Sequence, residues 1–156
     1  MLVQARVPAD DAVWQDSGIE WDRPVEVSLR ASYAGSGEVV VRGNVSGQLL
    51  QQCRRCLQPV VAGFDEDVTL VFVSKADGRD TDEGDAIEFD PRAGFLDLSE
   101  AVREEVILAV NLYVVCDPGC LGLCPRCGTN LNEGACGCAE NGGDPRWEAL
   151  RALKGR

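Results

Sequence analysis

Histidine is absent from the whole chain. That removes Ser-His-Asp and Cys-His nucleophilic machinery, along with the common histidine-containing metal sites. Long apolar runs are missing too. Nothing in residues 1–8 has the apolar stretch of a signal peptide, and no segment approaches the eighteen or so apolar residues of a membrane span. GxGxxG and P-loop spacings do not occur, nor does an internal repeat. Positive charge is scarce, with 15 Lys and Arg against 26 Asp and Glu, for a formal net charge of −11. Such a surface repels nucleic-acid phosphates unless a basic patch stands apart. It suits either plain solubility or a basic partner. A chain without an export signal is expected in the cytoplasm. There thiols stay reduced, and clustered cysteines are metal ligands more often than disulfides.

Cysteine is what the chain has in excess. Six of its eight cysteines, Cys116, Cys120, Cys124, Cys127, Cys136 and Cys138, crowd one C-terminal block, and the other two form the pair Cys53-Arg54-Arg55-Cys56. Pairs at this spacing let two sulfurs reach one ion at about 2.3 Å, and a second pair completes a tetrahedron. Four pairs predict two zinc ions with four cysteine ligands each. Both shells would be closed, which is the structural rather than the catalytic form of the site. No enzyme activity and no small-molecule substrate are expected. Two such centres would take the net charge to about −15.

At 156 residues and 45% hydrophobic the chain can bury a real core. The pattern predicts an α+β fold: an antiparallel β-sheet with a packed helix, plus a small C-terminal zinc-binding segment and a terminal helix. Residues 1–115 form the β-rich part and 116–156 the cysteine-rich part, packed together as one unit. A short strand is expected at 2–4. Residues 25–33 alternate apolar and polar, as a half-buried strand does. Residues 38–52 form a long strand with a bulge at Gly43 or Gly47. Strand chemistry returns at 59–64 and 68–73, placing Cys53 and Cys56 at a hairpin tip. Residues 74–84 are an acidic loop, and 86–89 one more short strand. Asp97 and Glu100 have the form of a capping box opening a helix over 98–110. Leu98, Val102, Val106 and Ala109 would line its buried face, and an all-apolar last turn would be buried against the sheet. Asp144 and Pro145 open a short terminal helix with Trp147, Leu150 and Leu153 on one face.

Two pairings of the cysteines compete. Cys124/Cys127 with Cys136/Cys138 closes a small loop, provided that Gly137 turns the chain, and leaves Cys53/Cys56 to Cys116/Cys120. The alternative joins Cys116/Cys120 to Cys124/Cys127 and leaves Cys53/Cys56 with Cys136/Cys138.

The segments Cys53-Arg54-Arg55-Cys56-Leu57, 98–110, 122–132, Cys136-Gly137-Cys138 and 144–154 together resemble the bacterial YceD family, the large ribosomal RNA subunit accumulation proteins. The resemblance implies a non-enzymatic role in ribosome biogenesis, in accumulation of the large-subunit (23S) rRNA. It implies as partner a basic large-subunit ribosomal protein, large-subunit rRNA, or both. Two other classes stand beside it. One is a thiol-redox or zinc-release switch built on the CxxC pairs. The other is a zinc-ribbon RNA-binding module whose contacts are Arg54, Arg55 and Arg126, although the plainer reading is that these arginines offset the thiolate charge beside them.

Overall fold

A computed structural model of the chain describes residues 1–34, 37–74 and 86–138. Alternation shapes its central strands. Along β3 (Val25–Tyr33), Val25, Val27 and Leu29 are buried while Glu26, Ser28 and Arg30 are exposed. That is the face-to-face alternation of successive Cβ atoms in extended chain. β4 (Val39–Gln52) and β5 (Pro59–Ser74) form one long antiparallel hairpin whose register runs unbroken from Val39 opposite Phe72 to Gln52 opposite Pro59. β1 (Leu2–Val7) lies antiparallel to β3, and the two-residue β2 (Glu20–Trp21) pairs with β4.

The expected bulge is not there. Gly43 and Gly47 sit in regular ladder, and their lack of a side chain serves close packing instead. A Cβ at Gly43 would collide with the Ser28 carbonyl oxygen and stand 2.8 Å from Leu29 Cα, and at Gly47 it would meet the Phe64 ring at 2.8 Å. The sheet is also mixed rather than antiparallel, because β6 (Ala86–Phe89) runs parallel to β5. Parallel neighbours need a crossover longer than a hairpin turn. The 75–85 link supplies that length, but a sequence pattern carries no strand direction.

Helix α1 (Ser99–Ala109) closes the core with Ala101, Val102 and Val106 buried and Leu98 and Ala109 packed alongside. Trp14 and Trp21 join them with ring centroids 4.8 Å apart, and the Trp14 indole N–H donates to the Pro8 carbonyl at 2.9 Å. Each fully buried side chain of this size contributes about 1.5–3 kcal/mol. The sheet therefore has a core that does not depend on metal alone.

Two details of α1 differ from expectation. Asp97 accepts the Ser99 N–H at 2.9 Å, which holds its carboxyl below the usual range, but Glu100 does not reach back. Glu100 pairs instead with Arg103 at 3.6 Å, one turn on, so the capping box is only half formed. The last turn is not buried all round: Leu108 is 81% exposed, because one helix face meets the sheet and Leu108 lies off it. Among the described residues no helix is long and apolar enough to cross a membrane. The expected loop over 74–84 (apart from Ser74) and the terminal helix at 144–154 lie outside the described residues.

Candidate metal centres

The β4–β5 hairpin ends in a six-residue tip that the strands alone do not dictate. The Leu57 N–H donates to the Cys53 carbonyl at 2.9 Å, and the Cys53 N–H to the Gln58 carbonyl at 2.8 Å. The Cys124–Cys127 turn repeats this pattern. There the Gly128 N–H donates to the Cys124 carbonyl at 2.9 Å, and the Cys124 N–H to the Thr129 carbonyl at 2.8 Å. In both turns the residue after the second cysteine is left-handed, with φ 61° at Leu57 and 73° at Gly128. Glycine accepts that conformation freely, and leucine is strained in it. Gly137, expected to turn the C-x-C pair, sits at a bend, reached without the left-handed conformation.

The second cysteine pair arrives from α1. The Arg54 N–H donates to the Val114 carbonyl and the Leu123 N–H to the Arg55 carbonyl, both at 2.9 Å, seating the 114–123 segment on the hairpin tip. Arg55 Nη1 adds bonds to the carbonyls of Pro118 at 3.2 Å and Cys120 at 2.9 Å. Cys53, Cys56, Cys116 and Cys120 thereby converge, with all four sulfurs within 4.8 Å of one another. Cys124, Cys127, Cys136 and Cys138 form a second group within the same limit. Of the two competing pairings, the fold assembles the one with the small 124–138 loop.

The geometry suits a tetrahedral thiolate ion. Metal–sulfur bonds of about 2.3 Å put ligand sulfurs about 3.8 Å apart. Cys53 Sγ lies 3.8 Å from Cys120 Sγ, and Cys56 Sγ 3.6 Å from Cys116 Sγ. Both distances far exceed the roughly 2.05 Å of a disulfide bond. Backbone and side-chain donors face the sulfurs: the Arg55 N–H reaches Cys53 Sγ, and Asn132 Nδ2 reaches Cys120 Sγ, each at 3.4 Å.

Thiols so close cannot all ionise without a cation between them. Burial pushes Cys53 up, but amides of Cys116, Cys56 and Arg55 outweigh it and bring the thiol down to about 6. Its neighbour Cys116 goes the other way, pushed up to about 12 by the adjoining Cys56 and Cys120 sulfurs. The second group repeats the split. The Thr129 hydroxyl draws Cys127 down to about 6, while the Cys127 sulfur pushes Cys138 up to about 12. A divalent ion would remove the conflict by holding all four as thiolates.

The groups differ in shelter. Cys53 is wholly buried and Cys56 and Cys120 nearly so, whereas in the second group only Cys124 is buried. A strap from the second group's loop crosses the first. Asn132 Oδ1 accepts the Leu121 N–H at 2.8 Å, and Glu133 accepts from Gln58 at 3.0 Å and from Asn130 at 2.8 Å. Sequence reasoning missed these polar residues, because no spacing rule brings residue 132 to residue 120.

The arginines separate. Arg55 is committed to the Pro118 and Cys120 carbonyls. Arg54 lies over the exposed Tyr113 ring at 5.1 Å, and Arg126 is exposed within the second turn.

A mixed sheet whose hairpin tip and C-terminal segment gather two all-cysteine groups suited to metal defines the class of protein. The particular family follows from comparison. The family model described as large ribosomal RNA subunit accumulation protein YceD matches residues 41–154, and the chain belongs to that family. An uncharacterized protein of Mycobacterium tuberculosis is 30% identical over 133 residues, covering 84% of this chain and 62% of its own length. The chloroplastic large ribosomal RNA subunit accumulation protein YCED homolog 1 of Arabidopsis thaliana is 33% identical over 70 residues, 45% of this chain and 22% of that protein. Its Zea mays counterpart is 27% identical over 150 residues, 78% of this chain and 51% of that protein. The chain thus spans less than two thirds of these relatives. No solved structure gives a significant match.

Proposed function

We propose that this chain is a non-enzymatic, zinc-stapled factor in large ribosomal subunit biogenesis. It supports accumulation of large-subunit rRNA by holding a basic ribosomal protein or an rRNA element during assembly. The observation that carries the proposal is the family match over 41–154, which encloses both cysteine groups. Zinc is the ion best suited to two sets of four thiolates with no histidine or carboxylate among them. Two closed shells leave no open position for a reacting water, which favours a scaffold over a catalyst.

Co-sedimentation of the tagged chain with ribosomal precursors tests the role. At physiological salt the chain should travel with large-subunit precursors or retain a basic ribosomal protein, and recovery of neither refutes it. Metal analysis of the purified chain should return two zinc ions per molecule. The redox alternative has less support. A thioredoxin-type pair opens a helix after a strand, whereas Cys53 and Cys56 occupy a hairpin turn with their sulfurs facing a second pair.

A further inference from the structure

The sheet has a second face, turned away from α1. There the register sets Arg30 of β3 directly opposite Arg42 of β4, both exposed. Like charges directly opposite one another across two strands repel. In a chain with a net charge of −11 carboxylates are plentiful, yet neither guanidinium has an ion-pair or hydrogen-bond partner among the described residues. The carboxylates on this face have other contacts, not the two arginines. Glu26 is held by Arg6 at 2.8 Å, and Asn44 Nδ2 donates to Asp65 at 2.6 Å and Asp67 at 3.3 Å. Flanking positions on this face are mixed: Ser28 and Ser32 precede and follow Arg30 and Thr69 lies opposite Arg42, while Leu2 lies opposite Arg30 and Val40 precedes Arg42.

Two guanidinium forks without a partner on an open sheet face are complementary to a phosphodiester. Each fork presents paired N–H donors matched to two phosphate oxygens. An anion lodged between them would also relieve their repulsion. We propose that Arg30 and Arg42 contact the phosphate backbone of RNA, making the open sheet face an RNA-docking surface separate from the metal centres. The proposal rests on the rRNA side of the function argued above. Phosphate contacts position rather than specify, so binding here is indifferent to base sequence.

The test compares the zinc-loaded full chain with an Arg30→Gln/Arg42→Gln variant. Binding of fluorescein-labelled oligouridylate and of an unrelated single-stranded RNA is measured by anisotropy across a salt series. Losing two single-strand phosphate contacts should flatten the log–log salt slope by about 1.4, equivalent to about 25-fold weaker binding at about 0.1 M salt, for both RNAs alike. The variant should melt no lower than wild type, because it removes a repulsion. A lower melting temperature would mean the arginines have partners within the chain, and would overturn the proposal. Unchanged affinity and slope would also overturn it, as would a wild-type chain that co-sediments with precursors yet binds neither RNA. In both cases the assembly role stands if co-sedimentation persists. If precursor binding survives ribonuclease but is lost in the variant, the pair meets an acidic protein surface and not RNA. Wild-type chain that neither binds RNA nor co-sediments sinks both readings.

Discussion

Replacing Cys53 with serine should destabilise the whole molecule, whereas Cys136→Ser should chiefly loosen the tail. The difference follows from which parts of the chain each group ties together. The first group bridges positions 60 residues apart, Cys56 and Cys116, and links the hairpin tip to the segment leaving α1. Treated as a cross-link, closure of a loop that long is worth about 4 kcal/mol at 25 °C, and closure of the short loop from Cys127 to Cys136 about 2.6 kcal/mol. Four kcal/mol is a large part of the roughly 5–15 kcal/mol that holds a typical domain. For a chain of this size it corresponds to a melting temperature lower by about 8–16 °C. Cys53 is also fully buried, so a serine hydroxyl there would need a new partner. The smaller loop contains neither the sheet nor α1, so its loss should appear mainly as local loosening of 124–138 and shift the main transition by less than Cys53→Ser does. Differential scanning calorimetry of the zinc-loaded chains, with metal content measured on the same samples, decides the matter. Equal depressions would refute the division of labour between the two groups. So would a Cys53→Ser chain that loses its metal and melts like wild type.

Further outcomes follow from single positions. Gly43→Ala should cost about 3 kcal/mol or more, since its Cβ meets backbone, while Gly63→Ala, with its nearest neighbour at 3.6 Å, should stay within about 0.5 kcal/mol; chemical denaturation distinguishes them. Arg55→Ala removes two bonds to the Pro118 and Cys120 carbonyls and should lower stability by about 2 kcal/mol, against about 0.5–1 kcal/mol for Arg54→Ala, whose guanidinium contacts the Tyr113 ring. Leu57→Gly should melt no lower than wild type, because relief of about 1–2 kcal/mol of left-handed strain outweighs the added backbone freedom, and Leu57→Val should melt lower. In the reduced, metal-free chain, Cys53 and Cys127 lie near 6, below their ordinary 9.0, so their contribution is present above pH 9 and lost as pH falls through 6. Cys116 and Cys138 lie near 12, so their contribution is full below pH 9 and lost as pH rises through 12. Thermal stability without metal should therefore peak near pH 9, and a monotonic profile would contradict the thiol arrangement.

Local chemistry made much of this protein legible in one dimension. Paired cysteines announce groups suited to metal through their spacing, and residues 25–33 announce a strand through alternation, because both depend on neighbours a few positions apart. The hairpin carrying Cys53 and Cys56 followed from two strand-like runs on either side. What the chain could not declare is anything that compares distant segments. Parallel pairing of β6, the close approach at Gly43 and the outward turn of Leu108 each depend on what packs opposite. Loop closure could rank the two cysteine pairings, but only the seating of 114–123 on the hairpin tip selects one. The arginines show the same division. Arg54 and Arg55 are adjacent and chemically identical in sequence, yet one stacks on an exposed ring and the other is spent on two carbonyls, because side-chain partners are assigned by the fold. Arg30 and Arg42, unremarkable twelve positions apart, become a pair only when β3 and β4 come into register.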